Sequence, residues 1–277
     1  MLKRRFVPSK IFVYLVLVAA AIITLYPLFW MVSGSLKRLP DIILRPWALP
    51  TSPQWHNYPQ AWVEGKLGLY FLNSVIVSSI SVLLIVIISS LAAFSFTRYK
   101  FRFDKLLFIL IIGGLMVPLQ ITLIPLYLLF RVTRLLDTYW AMIFPSIAFG
   151  LPISVFILRT YFIEVPLELI DSATIDGCSE LRILWHVFIP IAKAGVATLV
   201  IYNLIWTWNL FFFALIFVTE ESLQTITLGL MTFRGTYGRT NWSLMLSGIA
   251  IATFPMIVVF LVFQRHFIKG VTAGAVK

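Results

Sequence analysis

Long apolar runs alternate with short polar segments along this chain, and the runs are its dominant feature. Six of them are long enough to cross the roughly 30 Å hydrocarbon core of a bilayer as helices. They cover residues 11–32, 71–96, 106–130, 139–158, 194–218 and 244–263. The pattern predicts an all-α, polytopic integral membrane protein with six transmembrane helices. Glycines and prolines in the third and fourth runs predict kinks there.

The first 70 residues are predicted to hold one span and one long loop. A basic segment precedes the first run, as in a secretory signal peptide, but the run is 22 residues long. That length suits a spanning helix rather than a signal peptide, so we expect an uncleaved first span. Prolines and tryptophans fill residues 33–70. Proline disfavours regular helix and tryptophan favours the membrane interface, so 33–70 is predicted to be an irregular extracytoplasmic loop.

The composition agrees with a membrane protein, since 60% of residues are hydrophobic, 12% are charged and the mean hydropathy is +0.96. A net charge of +11 would suggest a nucleic-acid partner in a soluble protein. Here the basic residues lie almost wholly between apolar runs, where they orient spans, so membrane lipid is the expected contact and no nucleic acid is expected. The single cysteine, Cys178, and three isolated histidines predict no disulfide and no metal site.

Basic residues are distributed unequally between the two sides that six spans define. Fourteen of the 22 lie at the N-terminus, in 98–105, in 159–193 and in the C-terminal tail, and eight lie in the alternate loops. Because basic residues accumulate in cytoplasmic loops, this bias predicts that both termini and the segment 164–190 are cytoplasmic.

All eleven acidic residues lie outside the predicted spans. An ion-driven carrier normally keeps ionisable groups within the membrane, so their absence disfavours a proton or sodium relay. The span residues that remain as candidates for contact with a solute are neutral: Gln120, Asn203, Trp206, Trp208 and Asn209. Such a set suits a polyhydroxyl solute, and the alternative for the tryptophans is packing or an interfacial belt.

Five of the eleven acidic residues lie in the segment 164–190, which is predicted to form two short helices joined by a bend. Pro166 suits the first position of one helix, Gly177 suits its left-handed C-terminal cap, and Ser179 suits the N-cap of the next helix. The second helix is predicted to have one apolar face and to end at a proline; these residues are Leu181, Leu184, Trp185, Phe188 and Pro190. Such a helix pair suits docking onto another protein, and an ordinary interhelical loop is the alternative.

The same segment resembles the EAA loop of ABC importer permeases. The residues that carry the resemblance are Asp171-Ser172-Ala173, Asp176-Gly177 and Val187-Phe188-Ile189-Pro190, with the spacing of the family pattern. Trp208-Asn209 and the ending 270–277 are similar to the carbohydrate-uptake, maltose-type branch of these permeases.

The resemblance implies the permease subunit of an ATP-driven, binding-protein-dependent sugar importer in the bacterial cytoplasmic membrane. It implies a type-1 permease core at 71–277, after an N-terminal segment and span at 1–32 and the outer loop at 33–70. The implied partners are a second homologous permease subunit forming a heterodimer, two ATP-binding subunits and an extracytoplasmic solute-binding protein. The residues implied to couple to the ATPase are Glu168, Asp171, Ser172, Ala173, Asp176, Gly177 and Pro190. By the same resemblance, residues 220–241 contact the binding protein and the tail reaches towards the ATPases.

No catalytic function is predicted for the chain itself. Gly65-Lys66 is followed by Leu67 rather than by serine or threonine, so no phosphate-binding P-loop is present. ATP and Mg²⁺ are therefore expected in the partner ATPases, with no cofactor in this chain. A membrane enzyme is disfavoured because no nucleophile and base stand out at the span ends. Two alternatives remain, an importer for another solute such as a polyol or glycerol phosphodiester, and a stand-alone secondary carrier.

Overall fold

The computed structural model describes residues 8–235 and 240–273 of the chain, and this part of the protein is built from helices. Within it there is no β-sheet, and the one strand-like pairing is an isolated bridge between Arg234 and Thr240. The all-α prediction is confirmed. The basic residues 3–5, Arg239 and the last part of the tail, 274–277, lie outside the described residues.

The α-helices of the described part differ greatly in length. In chain order they are α1 (Pro8–Ser35), α2 (Leu39–Leu44), α3 (Asn57–Glu64), α4 (Leu67–Arg98), α5 (Asp104–Gly113), α6 (Leu119–Val132), α7 (Tyr139–Phe162), α8 (Leu167–Ile175), α9 (Glu180–Ile183), α10 (Ile189–Ile191), α11 (Lys193–Trp208), α12 (Phe212–Phe217), α13 (Ile226–Gly229) and α14 (Trp242–Ala273).

Four stretches of helix are long and apolar enough to cross a bilayer by themselves. They are Ile11–Ser35, Leu67–Arg98, Tyr139–Phe162 and Trp242–Gln264. Two bent pairs of helices pass the same test together, namely Asp104–Met116 with Leu119–Val132, and Glu180–Ile191 with Lys193–Trp208. The described residues therefore hold four candidate spans, or six when each bent pair counts as one, which agrees with a multi-pass membrane protein of six spans.

The third predicted span, 106–130, is broken in its middle rather than kinked. Its two parts meet at an angle of 99°. Val117 has extended backbone angles and Pro118 follows it with φ −66° and ψ 130°. Proline lacks the N–H that a helix needs and disfavours helical geometry at the residue before it. The helix therefore stops before Val117 and restarts at Leu119.

The fifth predicted span, 194–218, is wrong at its C-terminal end. α11 ends at Trp208, and α12 begins only at Phe212. Asn209 follows α11, and its side-chain Nδ2 donates a hydrogen bond to the carbonyl of Ile205 at 2.8 Å. Asparagine favours helix ends because its side chain competes for backbone partners in this way.

The loop 33–70 contains two short helices, which corrects the prediction that prolines exclude helix there. Pro40 and Pro59 each lie in the first turn, of α2 and α3 respectively, where the missing N–H is not needed. Asn57 at the start of α3 is buried, and its Nδ2 donates to the carbonyls of Ser35 at 2.7 Å and Lys37 at 3.3 Å. These bonds attach α3 to the end of α1.

α7 is the central helix of a compact unit that includes residues 68–229. It packs against α5, α11 and α12, and two buried apolar clusters lie along its length. The first joins Met142 to Phe217, and the second joins Phe162 to Phe94 and Phe188. The buried side chains of the 164–190 segment pack in the second cluster. Another compact unit contains α2, α3 and the first part of α14.

Candidate functional site

The bend in the 164–190 segment lies at Gly177, as predicted. Gly177 has a positive φ of +75°, its N–H donates to Thr174 O at 3.0 Å, and the N–H of Cys178 donates to Ala173 O at 3.0 Å. These two bonds form a Schellman cap, which requires a left-handed residue at this position. A Cβ added at Gly177 would meet no atom within 4 Å, so the demand on this residue is purely one of backbone conformation.

The second helix starts as predicted but continues differently. The Oγ of Ser179 accepts a hydrogen bond from the N–H of Arg182 at 3.4 Å, which is an N-cap. Residues 184–188 then form a wider π-type turn, in which the N–H of Ile189 donates to Leu184 O. This turn rotates the later residues around the helix axis.

The apolar face of the second helix was therefore only partly predicted. Leu184 and Phe188 are fully buried, whereas Leu181 and Trp185 are exposed and Ile183 is buried in their place. Pro190 does not end the helix but lies within α10, which continues to Ile191. The chain bends afterwards, at Ala192, where α11 leaves at 84°. The wide turn at 184–188 explains why the helix can continue through Pro190. Proline has no N–H for the hydrogen bond that a regular α-helix makes to the carbonyl four residues earlier, and the regular pattern is already interrupted there.

The outer surface of the 164–190 segment combines carboxylates with apolar side chains. Of the residues predicted to contact a partner, Ala173 is partly buried against the second cluster and the others are exposed: Glu168, Asp171, Ser172, Asp176, Gly177 and Pro190. Leu167 and Ile175 are also exposed, by 69% and 85%. Sequence reasoning missed these two residues, although both lie off the buried stripe of α8 that Ile170 defines.

The inner surface of the same segment is fixed to the ends of α4 and α7. The ring of Phe188 meets those of Phe94 and Phe162 edge to face, with centroids 5.0 and 5.1 Å apart. Such pairs stabilise packing beyond the burial of their area. Arg98, at the end of α4, pairs with Glu180 at the start of α9, with Nε and Oε2 3.4 Å apart. The segment is therefore a fixed platform.

A polar cluster holds the opposite end of α4. Asn73 donates from Nδ2 to the carbonyls of Ser222 and Gln224, both at 2.8 Å, and its Oδ1 accepts from the hydroxyl of Tyr139 at 2.8 Å. Ser74 Oγ accepts from the N–H of Ile226 at 2.8 Å. These bonds attach the loop 219–226 to α4 and α7.

Asp137 secures the same loop from the α6–α7 connection. Its carboxylate accepts hydrogen bonds from the N–H and the hydroxyl of Thr219 and from the N–H of Glu220 at 2.9 Å. Desolvation by itself would raise the pKa of Asp137, but these bonds from Glu220 and Thr219 together lower it below its ordinary value. Asp137 also has a positive φ of 54°, a conformation that Asp and Asn tolerate better than most residues.

The platform and the polar cluster lie one membrane thickness apart on α4. Asn73 and Phe94 are separated by about 30 Å at the α-helical rise, which is the thickness of a hydrocarbon core. Sequence reasoning did not predict either set of contacts, because their partners are 26 to 152 residues apart along the chain.

The five neutral span residues predicted to contact a solute occupy different environments. Asn203 is fully buried, and its Nδ2 donates to Ser154 Oγ and Leu199 O at 2.8 Å, while its Oδ1 has no hydrogen-bond partner among the described residues. Trp208 is buried with its ring against Phe71, and Trp206 is half-buried. Gln120 and Asn209 are exposed. Within the described part of the chain, Gln120 makes no hydrogen bond to the other four, so the solute-contact assignment stays a prediction.

Comparison with known proteins agrees with this architecture. Residues 85–273 match the family described as binding-protein-dependent transport system inner membrane component. The probable ABC transporter permease protein YurM of Bacillus subtilis is 38% identical over 269 residues, covering 96% of this chain and 87% of the relative. The trehalose/maltose transport system permease protein MalG of Thermococcus litoralis is 32% identical, and the match covers 99% of each chain. The melibiose/raffinose/stachyose import permease protein MelC of Bacillus subtilis is 32% identical over 91% of each chain.

A solved structure has the same fold. It is the crystal structure of a bacterial ABC transporter involved in the import of the acidic polysaccharide alginate, with a TM-score of 0.81 and 21% identity over 96% of this chain and 99% of that chain. At this identity the likeness concerns the fold alone. The match over residues 85–273 and the full-length relatives together show that this chain belongs to the binding-protein-dependent transport system inner membrane component family, the membrane permeases of ABC transporters.

Proposed function

We propose that this chain forms half of the translocation pathway of an ATP-driven importer for a sugar or oligosaccharide, beside a second homologous permease subunit. The names of two relatives that match over nearly their whole length specify saccharides, trehalose/maltose and melibiose/raffinose/stachyose. The spans of this chain support the proposal because the acidic residues lie outside them, which disfavours a carrier driven by an ion gradient.

The observation that carries the proposal is the fixed platform at 164–190. It is capped at Gly177, packed from below by Phe94 and Phe162, and exposes carboxylates together with Leu167 and Ile175. A surface that transmits force to the spans must be packed firmly against them on one side and must expose residues that bind a partner on the other side. In the proposal it docks on one of two ATP-binding subunits, which bind ATP and Mg²⁺, and the chain itself is not catalytic.

The proposed topology follows from the basic residues. The platform and both termini face the cytoplasm, where 14 of the 22 basic residues lie. The loop 219–226, held by Asn73 and Asp137, then faces outwards. In this position it presents residues 220–226 to an extracytoplasmic solute-binding protein. The rest of the segment predicted to contact that protein, 227–241, includes residues 236–239, which lie outside the described residues.

In the proposed pathway, neutral polar and aromatic side chains contact the solute. Three of the predicted residues have accessible surface for this contact. Trp206 lies in the last turn of α11, Asn209 directly follows that helix, and Gln120 lies in the first turn of α6, beside the break that precedes it. Asn203 and Trp208 are buried, so in this proposal they do not touch the solute but pack behind the residues that do. Aromatic faces with amide partners suit the apolar faces and hydroxyl groups of a sugar.

Transport by the reconstituted complex tests this function. Proteoliposomes that hold both permeases and both ATPases, with the binding protein outside, should accumulate the radiolabelled saccharide that stabilises that binding protein in a thermal-shift screen. Uptake should require internal ATP and persist with a protonophore when ATP is held constant. Uptake by this chain alone under an ion gradient would contradict the proposal and indicate a secondary carrier.

A further inference from the structure

A cavity of about 170 Å³ lies where the end of α4, the start of α5 and the last turns of α7 meet. It is lined by Phe96, Asp104, Lys105, Phe108, Ile109 and Arg159. None of these residues belongs to the platform or to the neutral span set. At roughly 30 Å³ per water molecule, the volume is large enough for a phosphate group and its first ester carbons.

Arg159 is the residue of this cavity lining whose charged donor lacks a hydrogen-bond partner among the described residues. Its guanidinium carbon lies 4.5 Å from the centroid of the Phe108 ring, a cation–π contact that occupies one face of the guanidinium. Its N–H groups lie in the guanidinium plane, and Nε is buried without a hydrogen-bond partner among the described residues. Arg98, by contrast, is paired with Glu180. A buried charged donor without a partner is unfavourable, so the site favours an anion.

The one carboxylate of the cavity lining does not supply that anion. Oδ1 of Asp104 accepts a hydrogen bond from the N–H of Lys105 at 2.6 Å, in the first turn of α5. The side chain of Lys105 is exposed and lines the same cavity. The lining therefore contains two cations, Lys105 and Arg159, and one carboxylate, Asp104, which is already hydrogen-bonded. Its net charge is positive.

The cavity continues onto an apolar helix face. Ile109 lines it and is 65% exposed, and Leu106 and Leu110, on the same side of α5, are 56% and 63% exposed. This part of α5 belongs to a candidate span, so those of its exposed side chains that the second permease subunit leaves uncovered contact lipid chains in a bilayer. A basic pocket that borders such a face, at the end of the spans, matches the geometry of a phospholipid headgroup site.

We propose that this cavity binds the phosphate of an anionic phospholipid. Arg159 and Lys105 donate to the phosphate oxygens, Phe96 and Phe108 enclose the glycerol, and an acyl chain lies along Leu106, Ile109 and Leu110. The site is independent of the proposed transport substrate, and it stabilises the junction of α4, α5 and α7 when lipid is bound.

Native mass spectrometry of the purified intact complex tests the site, with phosphatidylglycerol and phosphatidylethanolamine as the probes. We expect phosphatidylglycerol to bind, and Arg159→Gln to weaken its binding by about tenfold because a charge-assisted contact is lost. Arg159→Lys keeps the charge and should retain most of the binding. Arg131→Gln, at the exposed end of α6, is the matched control and should have no effect. Lys105→Gln, at an exposed position, should weaken binding without disturbing packing.

Three results would overturn the proposal. The first is equal affinity for the two lipids. The second is unchanged phosphatidylglycerol binding in both Arg159→Gln and Lys105→Gln. The third is displacement of phosphatidylglycerol by millimolar inorganic phosphate, which would assign the cavity to a free anion. Saccharide uptake is not a readout in any of these arms, so their failure leaves the proposed transport function unaffected.

Discussion

Arg98 and Glu180 join the end of α4 to the start of α9, with Nε and Oε2 3.4 Å apart and side chains 26% and 44% exposed. Because pairs this exposed contribute only about 0.2–1 kcal/mol, we expect Glu180→Gln to change the melting temperature of the complex little. We expect it to reduce substrate-stimulated ATPase activity several-fold, since the platform loses its polar link to α4. The exchange Arg98→Glu with Glu180→Arg should restore stimulation; an inserted but unstimulated double variant would contradict a role for this pair.

Gly177 sets the angle between α8 and α9, and its substitution tests the platform. A β-branched residue at φ +75° should cost about 1 to 3 kcal/mol. Gly177→Val should therefore insert normally but retain its ATPases weakly. Gly177→Asn is the matched control, since asparagine tolerates the left-handed conformation and no atom lies within 4 Å of an added Cβ. Retention of the ATPases and substrate-stimulated ATPase activity are measured on purified complexes. Equal results for the two variants would contradict a role for the left-handed conformation at this bend.

The platform was interpreted either as a docking surface for another protein or as an ordinary interhelical loop, and two further substitutions distinguish these roles. Asp171→Ala should reduce stimulation if its carboxylate contacts the ATPase, whereas Glu164→Ala should be mild. Both side chains are exposed, so neither change should alter the melting temperature.

Cys178 provides a test of topology, because it is the only cysteine of the chain. If the platform is cytoplasmic, a membrane-impermeant maleimide should label Cys178 in inverted vesicles without ATPase and not in intact spheroplasts. Cys178 is half-buried, so Ile175→Cys in a Cys178→Ser background should be labelled faster on the same side, since Ile175 is 85% exposed. Efficient labelling from outside would reverse the orientation.

Asp137 predicts a dependence of stability on pH. Its folded pKa is lower than the ordinary value of 3.8, so its ionised form stabilises the fold above that value, and the contribution is lost as pH falls through the folded pKa. We expect Asp137→Asn to lower the melting temperature at pH 7 and to differ less from the parent as pH falls below 3.8. Asp137→Ala should be less stable still, because it adds strain at φ 54°. A constant difference between Asp137→Asn and the parent at all pH values would refute the charge argument.

Substitution of Gly150 tests how closely α7 packs against α11. A Cβ added there would lie 2.5 Å from Asn203 Oδ1 and 2.6 Å from the Cδ1 of Ile85. Gly150→Ala should therefore destabilise by about 1 to 3 kcal/mol through overpacking. Gly113→Ala meets nothing within 4 Å and should be neutral or stabilising by up to about 1 kcal/mol, because alanine favours helix. Thermal unfolding in detergent distinguishes the two, and equal melting temperatures would contradict the close packing.

Local signals predicted much of this protein, and contacts between distant residues account for the rest. The apolar runs predicted the spans because each needs only its own length and composition, and Gly177 and Ser179 predicted their caps because a cap is set within a few residues. The turn at 184–188 was not predictable from side-chain periodicity, since it changes that periodicity. The hydrogen bonds of Asn73 and Asp137 join residues separated by 66 to 151 positions, so no local pattern could predict them. The glycines and prolines of the third run predicted kinks within it, but not that the helix would break before Pro118 and turn by 99°.

The stretch of α4 between Asn73 and Phe94 contains neither proline nor glycine, so it has no built-in hinge and behaves as a stiff rod held at both ends. A rod that tilts by about 10° around its midpoint moves each end by about 2.5 Å, given a half-length of about 15 Å. The two ends move in opposite directions. A sideways push on the platform therefore reaches the loop 219–226 as a shift of similar size and reversed sense, without any bending of the membrane-crossing helix itself.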